Sequence, residues 1–238
     1  MSDYTVTYNG ITDKNIGCHA KKRPSIPAPT QKVYTTDLRG MDGAYYDTDG
    51  TYNDIVIDVT FSFTSADRSA WQDLYRAIKK WLLSSGDKSL KFSDDEPYFY
   101  KVKNVSLTTE RRSRIIGEVT ATFTCDGYSY REDGNTEIQL SNNMTITNEY
   151  DACHPIYRVT GSGTITLQLN DESFIVTVNG EAFIDTEKMI VYNTDNEWVN
   201  FTAQGDYEDL WLKPGDNNFS YTAATAMTVY MTPRWRCL

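Results

Sequence analysis

Six Asn-Gly or Asp-Gly dipeptides punctuate the chain, at Asn9-Gly10, Asp42-Gly43, Asp49-Gly50, Asp126-Gly127, Asp133-Gly134 and Asn179-Gly180. These residues tolerate the positive φ that tight hairpin turns demand. Between them run segments of period two. Ile55, Ile57, Val59, Phe61 and Phe63 alternate with Val56, Asp58, Thr60 and Ser62, and Val119, Ala121, Phe123 and Cys125 alternate with Glu118, Thr120, Thr122 and Thr124. Ile165, Leu167 and Leu169, then Phe174, Val176 and Val178, flank a turn at Asn170-Asp171-Glu172, and Met227, Val229 and Met231 repeat the pattern. Such alternation puts one face in a core and the other in water, so the chain reads as mostly antiparallel β.

One segment breaks the period. From Ser65, read as an N-cap, apolar residues fall at Trp71, Leu74, Tyr75, Ile78, Trp81 and Leu82, with Asp67, Arg68, Asp73, Arg76, Lys79 and Lys80 on the wet side. That stripe predicts one notable helix over about 65–83, packed on a sheet as a crossover. Ser84-Ser85-Gly86-Asp87 stops it. An extended segment then starts at Leu90 and Phe92, is interrupted by Asp94-Asp95-Glu96-Pro97, and resumes at Tyr98 and Tyr100. Residues 20–30 hold three prolines and read as an arm or loop. Residues 36–54 are polar and rich in Gly and Tyr, a loop length that is usually functional or ordered by a partner.

The net charge of −10 is carried by one half. Residues 1–132 hold 18 Lys/Arg and 18 Asp/Glu, whereas residues 133–238 hold 5 and 15. The break divides the 238 residues into two expected domains, 1–132 and 133–238. Neither half is electropositive enough to neutralise many phosphates, so no specific nucleic-acid binding is expected, and Arg111-Arg112-Ser113-Arg114 reads as a solvated loop. No run of 18 apolar residues predicts membrane insertion. Met1-Ser2-Asp3-Tyr4 shows no basic region leading into an apolar one, which fits synthesis in a cytoplasm.

Chemistry finds little to work with. Cys18, Cys125, Cys153 and Cys237 lie far apart without a C-x-x-C and read as free thiols. Cys18-His19 and Cys153-His154 would supply four zinc ligands only if adjacent side chains converged, which strand geometry opposes. Asp47-Thr48-Asp49-Gly50 resembles part of a calcium loop but lacks the closing Glu and the flanking helices, so turn chemistry is preferred. The two histidines sit in no hydrolase signature, and no phosphate-binding loop occurs. No catalytic, cofactor or metal residue is assigned, and an enzyme is not expected.

The ordered set of features resembles the distal tail protein family of siphophages. It begins with Arg39-Gly40-Met41-Asp42-Gly43, Tyr45 and Tyr46, and the strand Ile55–Phe63. The helix ending Trp81-Leu82, then Leu90, Phe92, Asp94, Pro97 and Tyr100, and the strand Val119–Cys125 leading to Tyr128 and Tyr130 complete it. The second half resembles the family's galectin-like β-sandwich through Asn148, Pro155-Ile156, Gly161, Asn170, Val178-Asn179-Gly180, Ile184-Asp185-Thr186-Glu187, Val191-Tyr192 and Leu212-Lys213-Pro214-Gly215-Asp216-Asn217. The resemblance implies an N-terminal β-sandwich or barrel-like domain with a packed helix and a C-terminal galectin-like sandwich. It also implies a homo-hexameric ring at the virion's tail tip, assembled in the host cytoplasm. The partners it implies are the tail tube protein, the tail-associated hub or lysin protein, the end of the tape measure and receptor-binding proteins. Strand 226–238 is expected either to finish the sandwich or to run back to the first domain.

Within that frame Tyr45, Tyr46 and Tyr52 are the candidate oligomer-interface residues. Replacing all three with Ser is expected to break the ring and leave the monomer folded. The alternative is a carbohydrate-binding β-sandwich recognising cell-surface glycan, for which Trp198 and Trp211 are the candidate stacking residues. A galectin's convergent His, Asn, Arg and Trp set is missing, since His154 opens the domain and Arg158 is its only arginine before Arg234. A cell-wall hydrolase is the third reading.

Overall fold

A computed structural model describes residues 4–238. Met1 to Asp3, on which the reading of the N-terminus partly rests, lie outside the described residues. The chain forms two compact units, residues up to 129 with Leu238, and residues 130–237. It is mostly β, with antiparallel sheets and one nearly closed, barrel-like sheet. Among the described residues no helix is long and apolar enough to cross a membrane.

The first unit contains β1 (Val6–Tyr8), β2 (Ile11–Thr12), the short α1 (Asp13–Ile16), β3 (Cys18–Ala20), β4 (Tyr34–Thr36), β5 (Tyr45–Asp47) and β6 (Ile55–Thr64). After these come α2 (Ala70–Leu82), β7 (Ser89–Phe92), β8 (Tyr98–Arg111) and β9 (Ile116–Arg131), whose end enters the second unit. The main sheet runs β2-β1-β7-β8-β9-β6-β3, and β4 pairs with β5 alone. The period-two residues do what alternation requires. Ile57, Val59, Phe61 and Phe63 of β6 face Phe123, Ala121, Val119 and Gly117 of β9 across the ladder, and the whole set is buried or, at Gly117, makes room for a ring. Helix α2 buries Trp71, Ile78, Trp81 and Leu82 in that core.

The helix begins at Ala70, five residues later than the expected Ser65. Ser65 is committed elsewhere: its amide (2.8 Å) and hydroxyl (3.1 Å) both donate to the carbonyl of Ile115. Asp67 satisfies the helix start instead, its Oδ1 accepting from the Ser69 amide and hydroxyl and from the Ala70 amide at 2.6–2.9 Å.

The second unit holds β10 (Ile138–Leu140), β11 (Met144–Asn148), β12 (Ile156–Leu169), β13 (Glu172–Asp185), β14 (Ile190–Tyr192), β15 (Ala203–Gln204), β16 (Gly215–Ala223), β17 (Thr228–Thr232) and β18 (Arg236–Cys237). Strands β12 and β13 form one long hairpin turning at Asn170, whose φ of 56° suits Asn. The first part of β12 pairs with β17 and the last part with β16. Gly161, at φ +136°, lies between the two, and a Cβ there would stand 2.8 Å from Met227 Cγ. A side chain would block the bend that lets one strand serve both pairings. Two fully buried asparagines hold the loops: Asn148 Nδ2 donates to the carbonyls of Asp151 and Leu212, and Asn217 Nδ2 to those of Lys213 and Gly215.

The segment after residue 225 divides: β17 finishes the second unit's sheet, whereas β18 pairs with β9 and Leu238 groups with the first unit. Strand β17 lies between β10 and β12, and Arg234 reaches Asp185 (3.0 Å) and Glu187 (3.0 Å). Burial pushes the Asp185 carboxyl up, but the Arg234 hydrogen bond and charge and the Lys188 amide outweigh it, holding the group below the ordinary carboxylate value. Its stabilising contribution is therefore present above the unfolded pKa, near ~4, and is lost as pH falls through the depressed folded value. Asp185→Asn is expected to lower stability at neutral pH by about 1–3 kcal/mol, because Arg234 keeps only Glu187. Urea melts of the variant should also lose part of the wild-type acid sensitivity below about pH 4, and an unchanged pH profile would refute this account.

Candidate assembly surface

Strands β4 and β5 and the chain around them form a ribbon that contributes nothing to either core. From Thr30 to Thr51 every residue is exposed except Ala44, which is half-buried. Its base is clamped. The Asn53 amide donates to the Thr30 carbonyl (2.8 Å), the Asn53 side chain to the same residue's carbonyl and hydroxyl, and the Lys32 amide to the Thr51 carbonyl (2.9 Å). At Gly127 a Cβ would sit 2.8 Å from the Asn53 carbonyl oxygen and 3.1 Å from Pro29, so the ribbon's root needs a glycine on β9 to lie this close.

Above the root, β4 and β5 pair as Tyr34↔Asp47, Thr35↔Tyr46 and Thr36↔Tyr45. Directly paired residues share a face and successive ones alternate. Tyr34 and Tyr45 therefore occupy one face and Tyr46 the other. Tyr45 is 51% exposed and Tyr46 69%. Tyr52 is placed differently, half-buried at the root with its ring edge-on to Tyr128 at 5.7 Å. Val33, Tyr34, Leu38 and Met41 join the exposed apolar set. Tyr34 and Val33 fall just before the stretch that composition singled out, and Leu38 and Met41 carry no aromatic signal.

The carboxylates of Asp47-Thr48-Asp49-Gly50 are engaged in local turns. Asp47 accepts from the Thr48 amide (2.9 Å), and Asp49 accepts from the Thr51 amide (2.9 Å) and hydroxyl (2.6 Å). The Thr51 hydroxyl above all holds the Asp49 carboxyl below its ordinary pKa.

Other candidate chemistry is dispersed. Cys18 points into the core while His19 is exposed, and Cys153 is buried in the second unit. Burial pushes the Cys18, Cys125 and Cys153 thiols up to about 12, the wrong direction for a nucleophile. Among the described residues no three His, Cys, Asp or Glu gather as a metal site. Asp94 pairs with Arg23 at 2.7 Å, and Asp95 closes a turn through its amide and carbonyl. In the second unit Trp211 stacks on His154 (4.0 Å) and donates to the Thr186 carbonyl (3.3 Å), while Arg158 is held by Glu137 and Glu181 over the Tyr230 ring. Trp198 and Phe201 are left outward, 73% and 87% exposed.

The most developed surface feature is thus the exposed ribbon. Residues 11–125, which include the ribbon and most of the barrel-like sheet, match the family described as the phage tail protein RIFT-related domain. No curated protein matches the chain by sequence. Among solved structures, the Dit (gp 19.1) protein of phage SPP1, described as a paradigm of the hub adsorption apparatus in phages infecting Gram-positive bacteria, aligns over 99% of both chains with a TM-score of 0.62 and 17% identity. A chain of the phage P2 baseplate in its activated conformation with Ca aligns over 99% of this chain and 97% of its own, with a TM-score of 0.47 and 10% identity. At these identities the likeness is one of fold.

Proposed function

From the match of residues 11–125 to the phage tail protein RIFT-related domain, we propose that the chain is the hub ring at the distal end of a long non-contractile phage tail. The domain match and the shared fold support a structural role in the tail or baseplate. The finer reading is a homo-hexamer whose ring joins the tail tube protein and the end of the tape measure on one side to the tail-associated hub or lysin protein and receptor-binding proteins on the other.

The observation that carries it is the ribbon. Twenty-two successive residues, Thr30 to Thr51, are ordered by backbone pairing yet bury almost nothing in their own chain. An isolated two-stranded ribbon has little stability of its own, and one with Tyr34, Leu38, Met41, Tyr45 and Tyr46 exposed is suited to bury them against a partner. A closed ring of identical chains needs two different complementary patches per chain, and a projecting ribbon is a natural donor patch.

Light scattering with negative-stain images of the same peak tests this. The expected result is ring-shaped particles near six times the 27.2 kDa chain mass, about 163 kDa. Exposed Trp198 and Phe201 favour one competing reading, a glycan-binding sandwich. A monomer retained on immobilised cell-wall glycan would select that reading and reject the ring.

A further inference from the structure

The exposed ribbon has a charge as well as an apolar surface. From Thr30 to Thr51 it carries four aspartates, Asp37, Asp42, Asp47 and Asp49, against two cations, Lys32 and Arg39. An acceptor for it should be basic, exposed and partly apolar, and one such place exists in the same unit.

It lies at the turn joining β8 to β9, residues 111–116. Arg111 locks this turn: its guanidinium lies over the Trp71 ring at 4.6 Å and donates to the carbonyls of Ser113 (3.2 Å) and Arg114 (3.0 Å). The Ser113 amide closes it onto the Ile116 carbonyl at 3.1 Å. Beside the turn, Lys21, Lys22 and Arg112 line a cleft of about 480 Å³ with Glu110 and Glu118. Lys21 and Arg112 share Glu118 (2.7 and 3.1 Å), and Arg112 also holds Glu110 (2.7 Å). Lys22 and Arg114 form no ion pair among the described residues, and Ile115 and Ile116 are each 38% exposed. The place is therefore a positive cleft with an apolar lip.

The ribbon and the basic turn stand at opposite ends of one ladder. Strand β6 pairs with β9 from Ile55↔Cys125 to Thr64↔Ile116. The ribbon is rooted beyond the first pair, at Asn53 and Gly127, the basic turn lies beyond the last, and the cleft runs back from the turn to Thr60, whose carbonyl accepts from the Lys21 amide. Ten pairs at ~3.3 Å per residue separate the ribbon's root from the turn by about 30 Å along the strands. The exposure of the ribbon shows that it does not lie on its own chain's turn.

We propose that the ribbon of one copy docks on the β8–β9 turn and Lys22–Arg112 cleft of the next. The aspartates then face Lys22, Arg112 and Arg114, and the ribbon tyrosines cover Ile115 and Ile116. Donor and acceptor are different patches of one chain and make a head-to-tail contact, which closes as a ring by repetition. This inference rests on the ring reading above and names the surface that the ribbon meets.

Cross-linking tests it in the full-length chain with Cys237→Ser as background, the remaining cysteines being buried. Tyr46→Cys and Ile115→Cys each replace an exposed side chain. A mixture of the two variants should give a 46–115 disulfide-linked dimer under mild oxidation. Adding Lys22→Glu and Arg114→Glu to the Ile115→Cys chain should cut the yield about tenfold or more, through loss of complementary charge. Adding Asp37→Lys and Asp42→Lys to the other chain should restore it. Rings of the expected mass without a 46–115 link would overturn the docking and leave the ring reading standing. A 46–46 link in place of 46–115 would overturn the head-to-tail geometry. A protein that stays monomeric and unlinked at every concentration would overturn both.

Discussion

Trp81→Ala is expected to destabilise the first unit by about 3–5 kcal/mol. Trp81 is 3% exposed, edge-on to Phe61 at 5.4 Å and Tyr8 at 6.4 Å. Its Nε1 donates to the Tyr8 carbonyl at 2.9 Å, within the core. Truncation therefore opens a cavity among aromatic rings and also leaves a buried carbonyl without its donor, two costs that add. Against a whole-domain stability of about 5–15 kcal/mol the loss is a large fraction. The urea midpoint should fall by about 1–3 M at an unchanged slope. Trp198→Ala supplies the control, since Trp198 is 73% exposed and its removal should stay within about 0.5 kcal/mol. Equal midpoint shifts for the two variants would refute the packing account.

The contrast between those two tryptophans marks what a sequence of this kind shows and hides. Trp81 was legible because it sits on a three-four stripe with Trp71, Leu74 and Ile78, a pattern that fixes which face goes in. The strands of the barrel-like sheet were legible for the same reason at period two, down to the inward sets of β6 and β9. The start of α2 was not. Ser65 and Asp67 are both good capping residues, and the choice between them was made by the distant carbonyl of Ile115, which claims Ser65. Long-range partners likewise decided the fate of Arg234, which is 49 residues from Asp185 in sequence and bonded to it in the fold.

The ribbon shows a different limit. Strands β4 and β5 have no buried face, so no alternation of apolar and polar residues announces them, and 36–54 reads as loop. Composition alone flagged the region, through its glycines and tyrosines, and that signal could not separate Tyr52 from Tyr45 and Tyr46 or include Tyr34. The basic run at Arg111–Arg114 was visible as charge but not as a partner surface. Its meaning depends on Lys21 and Lys22 arriving from ninety residues away in sequence, and on the ladder that holds the run far from the ribbon.

The same placement separates assembly from stability among the three candidate tyrosines. Tyr45→Ser with Tyr46→Ser is expected to abolish the ring while leaving the melting temperature of the monomer unchanged. Both rings project into water from a ribbon outside the core, so their loss costs the monomer within about 0.5 kcal/mol. At an interface a buried tyrosine is worth about 2 kcal/mol, so two of them weaken each contact about a thousandfold in Kd. Tyr52→Ser should do the reverse. It removes the edge-on contact with Tyr128 at the ribbon's root, at a cost of about 1–2 kcal/mol, and touches assembly only by loosening the base. Light scattering and thermal melts of both variants decide the matter. If the double variant melts early, the exposed rings stabilise the chain itself; if it still forms rings, the contact between copies is made elsewhere. A ribbon that holds copies together must show the opposite on both counts, because Tyr45 and Tyr46 belong to neither core.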